Sequence, residues 1–275
     1  MMRGLLRTQT LASFDYQWKE LPEGEALVSD DWFVQNVPRI ISEELLCLRS
    51  DWFHGKRVLD AGCGLGRWTV GLLRLGCEVL ATDFSEHALE RTSENVNSLC
   101  TREEAARLTL EAADLLELPA ELARERFDLF FSFGVLHHTG DTHRALANVA
   151  ELAGPDGALF IYLYGKRSLS SRDRASLAVQ RFVLAPLPFT LKRRAIGFLR
   201  PGVDLHQVFD LLSPTINTRH TFEEVQQWLR AASFQDVVGT IDHSELFVRA
   251  LRTPEHFAPF LLPLPGRPYW FERYD

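Results

Sequence analysis

The sequence predicts an α/β fold: a doubly wound, mostly parallel seven-stranded sheet with an antiparallel last strand, plus a helical cap insertion. Three observations carry this. Apolar, strand-like runs alternate with helix-like segments from Arg57 to Gly165, the pattern of a parallel sheet with crossover helices. A glycine-rich turn, "DAGCGLG", joins the first run to the first helix. Two more runs close the pattern after a long basic interruption.

Taken in order, residues 1–55 read as helices and loops with scattered aromatics, and Ile40, Ile41, Leu45, Leu46 and Leu48 share a helical face. "RVLDAG" suits a buried strand. "RWTVGLLRLG" reads as a helix ending at Gly76. "CEVLATD" is a second strand, and "SEHALERTSENVNSL" a helix with Ser85 as N-cap. "RLTLEAADL" and "FDLFFSFG" are the third and fourth strands. "DTHRALANVAELA" is a helix capped by Asp141, "GPDG" a turn, and "ALFIYLYG" the fifth strand. "TFEEVQQWLRAA" is a further helix, with Thr221 and Glu224 forming a capping box. "FQDVVGTID" and "ELFVRALR" are two strands joined by a tight turn at His243. The organisation is a helical cap segment (1–55), a core (56–165), a basic helical insertion expected over the sheet's edge (166–220), the end of the sheet (221–252) and a C-terminal arm (253–275).

The bulk numbers exclude some classes. The chain has 275 residues, 46% of them hydrophobic, and a net charge of −7. That composition supports a real core, and an acidic total disfavours a protein that coats nucleic acid. Cys47, Cys63, Cys77 and Cys100 lack metal-ligand spacing, so they read as reduced, buried thiols and no metal is expected. No stretch is long and apolar enough for a membrane span, and the N-terminus lacks a signal-peptide core. A cytoplasmic location and no membrane contact are the expectations. The insertion is the exception to the charge: ten Lys and Arg against three Asp give it +7 inside a chain of −7.

The candidate site lies where strands end, since ligands of doubly wound sheets bind beyond the carboxyl ends. A dinucleotide loop wants a third glycine at the position of Arg67. This loop instead runs acid-x-G-x-G-x-G through Asp60, Gly62, Gly64 and Gly66. An acid there disfavours a pyrophosphate and favours a ligand with an ammonium group. Asp83 closes the second strand about twenty residues on, where a carboxylate can accept from both ribose hydroxyls. Asp114 closes the third strand and can accept from an adenine amine, with Phe84 and Leu115 offering apolar surface to the ring.

The ordered set "VLDAGCGLGRWT", "VLATDFS", "AADL", "FDLFFSFGVLHHT" and "LAGPDGALFIYLY" resembles the motifs of class I S-adenosylmethionine-dependent methyltransferases, of the small-molecule type. The resemblance implies a Rossmann-like sheet and S-adenosylmethionine as cofactor. It implies that Asp60, Gly62, Gly64 and Gly66 line the methionine end, that Asp83 holds the ribose and Asp114 the adenine, and that Phe133 flanks the cofactor. From the N-terminal segment Trp18 is the candidate for the methionine carboxylate, with Arg67 and Arg39 behind it.

Methyl transfer needs alignment and exclusion of water, and a base only for a protonated nucleophile. His137 and His138, after the fourth strand, are the candidate catalytic residues; a loop-shaping role is the alternative. The expected reaction is methyl transfer to a small organic acceptor at O, N or C. An anionic acceptor is one reading of the basic insertion, and a solvated surface is another. A macromolecule methyltransferase acting on RNA or protein is an alternative, as is a cofactor-binding enzyme of the same fold doing other chemistry. Sparse aromatics in the insertion disfavour nucleic acid; a homo-oligomer stays open.

Overall fold

The computed structural model describes residues 2–21, 28, 30–167, 170–199 and 205–266. In chain order these form α1 (Met2–Glu20), α2 (Asp31–Arg39) running on into a π-turn (Ile40–Leu45), β1 (Arg57–Ala61), α3 (Arg67–Arg74), β2 (Glu78–Asp83), α4 (Glu86–Leu99), α5 (Arg102–Ala105), β3 (Leu108–Ala112), β4 (Phe127–Phe133), α6 (Thr142–Glu151) and β5 (Ala153–Leu163). Then follow α7 (Ser171–Leu184), α8 (Phe189–Leu199), α9 (Leu205–Leu212), α10 (Phe222–Ala231), β6 (Asp236–Gly239), β7 (Leu246–Leu251) and α11 (Pro254–Phe257).

The strands make one sheet in the order β3-β2-β1-β4-β5-β7-β6. β1 to β5 are parallel, and β7 is antiparallel to both β5 and β6. The strands read as continuous apolar runs because both faces are covered. Side chains alternate between faces, so Val58, Leu129, Phe131 and Phe160 join the core under α2 and α3, while Leu59, Phe130, Leu159 and Ile161 join the core under α6 and α10.

Helix starts follow their caps. Ser85 accepts from the Ala88 N–H, Asp141 accepts from Arg144, and Thr221 and Glu224 close a capping box. Each cap satisfies a backbone donor that the first turn leaves orphaned.

Two boundaries differ from expectation. β3 ends at Ala112, so Asp114 lies two residues beyond it, in an isolated bridge with Glu117. β5 begins at Ala153 and takes in Gly154–Gly157. The turn tendency of "GPDG" survives there as an irregularity, since Phe127 pairs with Ala153 but Leu129 already pairs with Ala158.

The insertion does not hang on the sheet's edge. It folds over the strand ends with its own small core of Leu184, Ile196, Val208, Phe209 and Leu212, closed by Leu21. α1 ties this unit to the core: Ser13 bonds Ser213, Thr10 bonds Thr215, and Asp15 accepts from Ser85. The C-terminal arm packs against residues 47–49, as Arg49 N–H donates to Phe260 and Leu262 N–H to Cys47. The aromatic end of the arm, from Arg267, lies outside the described residues.

Candidate cofactor and acceptor site

The glycine loop bends sharply off β1. The N–H groups of Gly62 and Cys63 both donate to the Thr82 carbonyl, at 2.7 and 3.0 Å. Gly62, Gly64 and Gly66 have φ of +80°, +57° and +77°, a region costly for residues with a Cβ. Space is short as well. A Cβ on Gly62 would lie 2.3 Å from Val135 Cγ2, and one on Gly64 would lie 3.1 Å from the Trp18 indole. At Gly66 the neighbour is Thr92 of α4, at 2.9 Å. Gly66 is therefore a packing glycine between helices, and it does not line the cavity.

Asp83 sits at the carboxyl end of β2, held by backbone donors: Gly64 N–H to Oδ2 at 3.1 Å and Ser85 N–H to Oδ1 at 3.0 Å. Asp60 lies beneath the loop, not on the cavity wall, and accepts from Thr69 Oγ1 at 2.6 Å. Burial raises both carboxyls, Asp60 to about 7 and Asp83 to about 6. The Thr69 bond and the backbone donors oppose the rise, while Asp83 adds to that of Asp60 and Asp15 to that of Asp83. Buried carboxylates normally have a cation or a full set of donors. No Lys or Arg pairs with either one among the described residues. A ligand that brings an ammonium group and hydroxyl donors fits that deficit.

A cavity of about 690 Å³ opens from this loop. It lies in the upper part of the range of roughly 300–1,000 Å³ typical of ligand pockets. Trp18, Phe84, Leu115 and Phe133 line it, with Arg67 beside them. The Arg67 guanidinium stacks on Phe33 and Trp68, 4.6 and 4.7 Å from the ring centroids. Arg39 instead pairs with Glu43 and Glu44 of the π-turn and is absent from the wall. Asp114 is on the wall, where Arg7 of α1 forms an ion pair with its Oδ2 and the Leu116 N–H donates to its Oδ1.

The far end of the cavity separates the two histidines. His138 is part of the wall; His137 is not. His137 is fully buried, stacks on Tyr164 at 4.1 Å, and offers neither ring nitrogen a hydrogen-bond partner. Burial holds its pKa well below the usual histidine value. Its carbonyl is what the fold uses, accepting from both the N–H and the hydroxyl of Thr218. His138 Nδ1 lies 2.8 Å from the Ile216 carbonyl, which makes Nδ1 the protonated nitrogen and leaves the lone pair on Nε2. Burial lowers its pKa, so the ring is neutral near pH 7; Asp210, 3.8 Å from Nε2, opposes that shift. The same Asp210 accepts from the Tyr164 hydroxyl at 2.9 Å.

Several wall residues escaped the sequence reading. Arg7, Phe14 and Thr10 come from α1, and nothing local marks them as facing a cavity. Asp210 carried a faint signal, as one of only three acids in a strongly basic segment. Arg219 is the insertion's one Lys or Arg on the wall among the described residues, and Glu245 pairs with it at 3.3 Å.

This sheet order, with an antiparallel β7, a glycine loop after β1 and an acid closing β2, defines the class I S-adenosylmethionine-dependent methyltransferases. Residues 59–159, a little over a third of the chain, match the family model described as "Methyltransferase domain". A ubiquinone biosynthesis O-methyltransferase of Chelativorans is 30% identical over 143 residues, half of this chain and half of that protein. One from Aromatoleum aromaticum is 33% identical over 42% of this chain and 50% of its own length. An uncharacterized Synechococcus protein is 35% identical over 62% of this chain, but only 38% of its own length. The chain thus spans about half or less of the length of these relatives. Magnesium protoporphyrin IX methyltransferase from Synechocystis, solved with bound S-adenosylmethionine, shares the fold. Its TM-score is 0.52 at 15% identity, over 91% of this chain and 97% of that one.

Proposed function

We propose that the protein transfers a methyl group from S-adenosylmethionine to a small organic acceptor. The observation that carries this is the continuous cavity, which runs from the glycine loop and Asp83 to His138, under a roof formed by α1. Its volume of about 690 Å³ suits a nucleoside cofactor with a compact acceptor beside it. The relatives named as ubiquinone biosynthesis O-methyltransferases support a small acceptor with a hydroxyl.

The cofactor supplies an activated methyl group on a neutral leaving group. The chain's residues do the rest. Asp83 accepts from the ribose hydroxyls, and the Gly62–Gly64 backbone lets the methionine end approach. Asp60 acts from beneath the loop as a buried negative charge. Trp18 and Phe14 cover the site and keep water out. His138 takes the acceptor's proton at Nε2, because its tautomer leaves that nitrogen basic. Asp210 then faces the imidazolium that forms and stabilises it. His137 shapes the loop and takes no proton. Glu245 pairs with Arg219, so the insertion's charge lends no support to an anionic acceptor.

The test is methyl-labelled S-adenosylmethionine incubated with the protein and a metabolite extract divided by size. Label is expected in the small-molecule fraction, and mass spectrometry then identifies the acceptor. Label in RNA or protein would overturn the reading.

A further inference from the structure

Among the described residues Arg219 is the one cation of the insertion on the cavity wall, so the rest of its charge calls for another account. From Arg174 to Val203 the sequence has six Lys and Arg and no Asp or Glu, in a chain of net charge −7. α7 and α8 are also apolar on two opposite faces. Inward, Leu184 and Ile196 fill the insertion's core. Outward, Val179, Phe182 and Val183 of α7 are 62%, 81% and 60% exposed, and Leu191 and Phe198 of α8 are 46% and 86% exposed. Positions 179, 182 and 183 share one helical stripe, as do 191 and 198. Two large aromatics this exposed on consecutive helices are a costly surface in water.

α1 carries exposed apolar residues of its own. Leu6 carbonyl accepts from Thr215, and the neighbouring Pro214 carbonyl accepts from Arg181, next to Phe182. These bonds link the start of α1 to α7 through residues 214–215, and Leu5 and Leu6 are 68% and 40% exposed. Exposed Arg172, Arg174 and Arg194 flank these apolar residues. Asp173, between Arg172 and Arg174, is the one acid of α7 and α8. Protruding aromatics and aliphatics amid an excess of cations are what an interfacial helix presents to a lipid surface: the rings enter the headgroup layer and the guanidinium groups meet phosphates.

We propose that the outward face of α7 and α8 docks the protein on an anionic membrane surface. This is contact without crossing, since no helix among the described residues is long and apolar enough to span. It departs from the expectation of no membrane contact, which rested on the absence of a span. The proposal does not depend on the methyl-transfer reading.

The experiment sediments the purified full chain with vesicles of phosphatidylcholine alone, or of phosphatidylcholine mixed with phosphatidylglycerol. Binding is expected to the anionic vesicles only, and to weaken as salt rises. The double variant Phe182→Asp and Phe198→Asp should lose it while melting like the parent, because both side chains are exposed. Arg194→Glu should weaken it at least about fivefold. Three results would overturn the proposal: no binding to anionic vesicles, binding that ignores lipid charge, or equal binding by the double variant. Analytical ultracentrifugation adds a fourth. A parent dimer that the double variant dissociates would make the stripe an interface between two copies of this chain.

Discussion

His137 and His138 are adjacent in sequence, and their surroundings give them opposite chemistry. His137 is walled in by Tyr164 and His138, with no partner at either nitrogen. His138 has a fixed tautomer, a place on the wall and an acid 3.8 Å from its free nitrogen. A base worth about 10²–10⁴ in rate is the ordinary scale for such a group. His138→Ala should therefore cut turnover by at least about a hundredfold and leave cofactor affinity near the parent value. His137→Phe, which keeps the ring's volume, should retain most of the turnover. Single-turnover kinetics with the acceptor found in the labelled extract, beside calorimetry of cofactor binding, separates the two. Equal loss in both variants would mean that the pair acts only through packing.

At the scale of elements, α1 is the part that turns a cleft into a closed site. Its polar face is tied to the insertion through Ser13 and Thr10, and to β2's end through Asp15. Its aromatic face places Trp18 over Gly64 and packs Phe14 against His138 at 4.8 Å. A cover acts on escape more than on entry. Trp18→Ala should speed cofactor dissociation roughly tenfold with little change in association, as stopped-flow fluorescence would show. An unchanged off-rate would make Trp18 a packing residue only. Of this cover the sequence showed a helical cap segment and Trp18, and not the contacts that seat it. Strand ends were legible, because buried parallel strands are short apolar runs and an acid at their end stands out, as at Asp60 and Asp83. Asp114 was found for the same reason, though the strand stops two residues earlier. Arg7 and Asp210 were missed because they meet the site only through tertiary contacts across more than a hundred residues of chain and across the insertion. The insertion's charge was read correctly and its placement was not, since a charge count carries no direction.

For the whole molecule, the two buried carboxyls couple folding, pH and cofactor. In an unfolded chain each Asp loses its proton near pH 4. In the folded protein burial holds Asp83 protonated to about 6 and Asp60 to about 7. Between those limits the folded state binds more protons than the unfolded one, so stability falls as pH rises. Seen from acid, these groups favour the fold below pH 4, and that contribution is lost as pH climbs through 6 and 7. Urea denaturation at fixed pH values should show this decline in the ligand-free protein. Asp60→Asn keeps the shape and removes one titration, so its decline should be shallower, and the variant should gain on the parent most at pH 7.5. The cofactor reverses the sign. Its positive groups favour the ionised carboxylates, so binding releases protons and affinity should rise from pH 5.5 to 7.5. Calorimetry in buffers of different ionisation enthalpy measures that release directly. Proton uptake on binding, or an affinity flat across this range, would show that the two acids do not face the cofactor's charge. The glycine loop would then be left with its steric role alone.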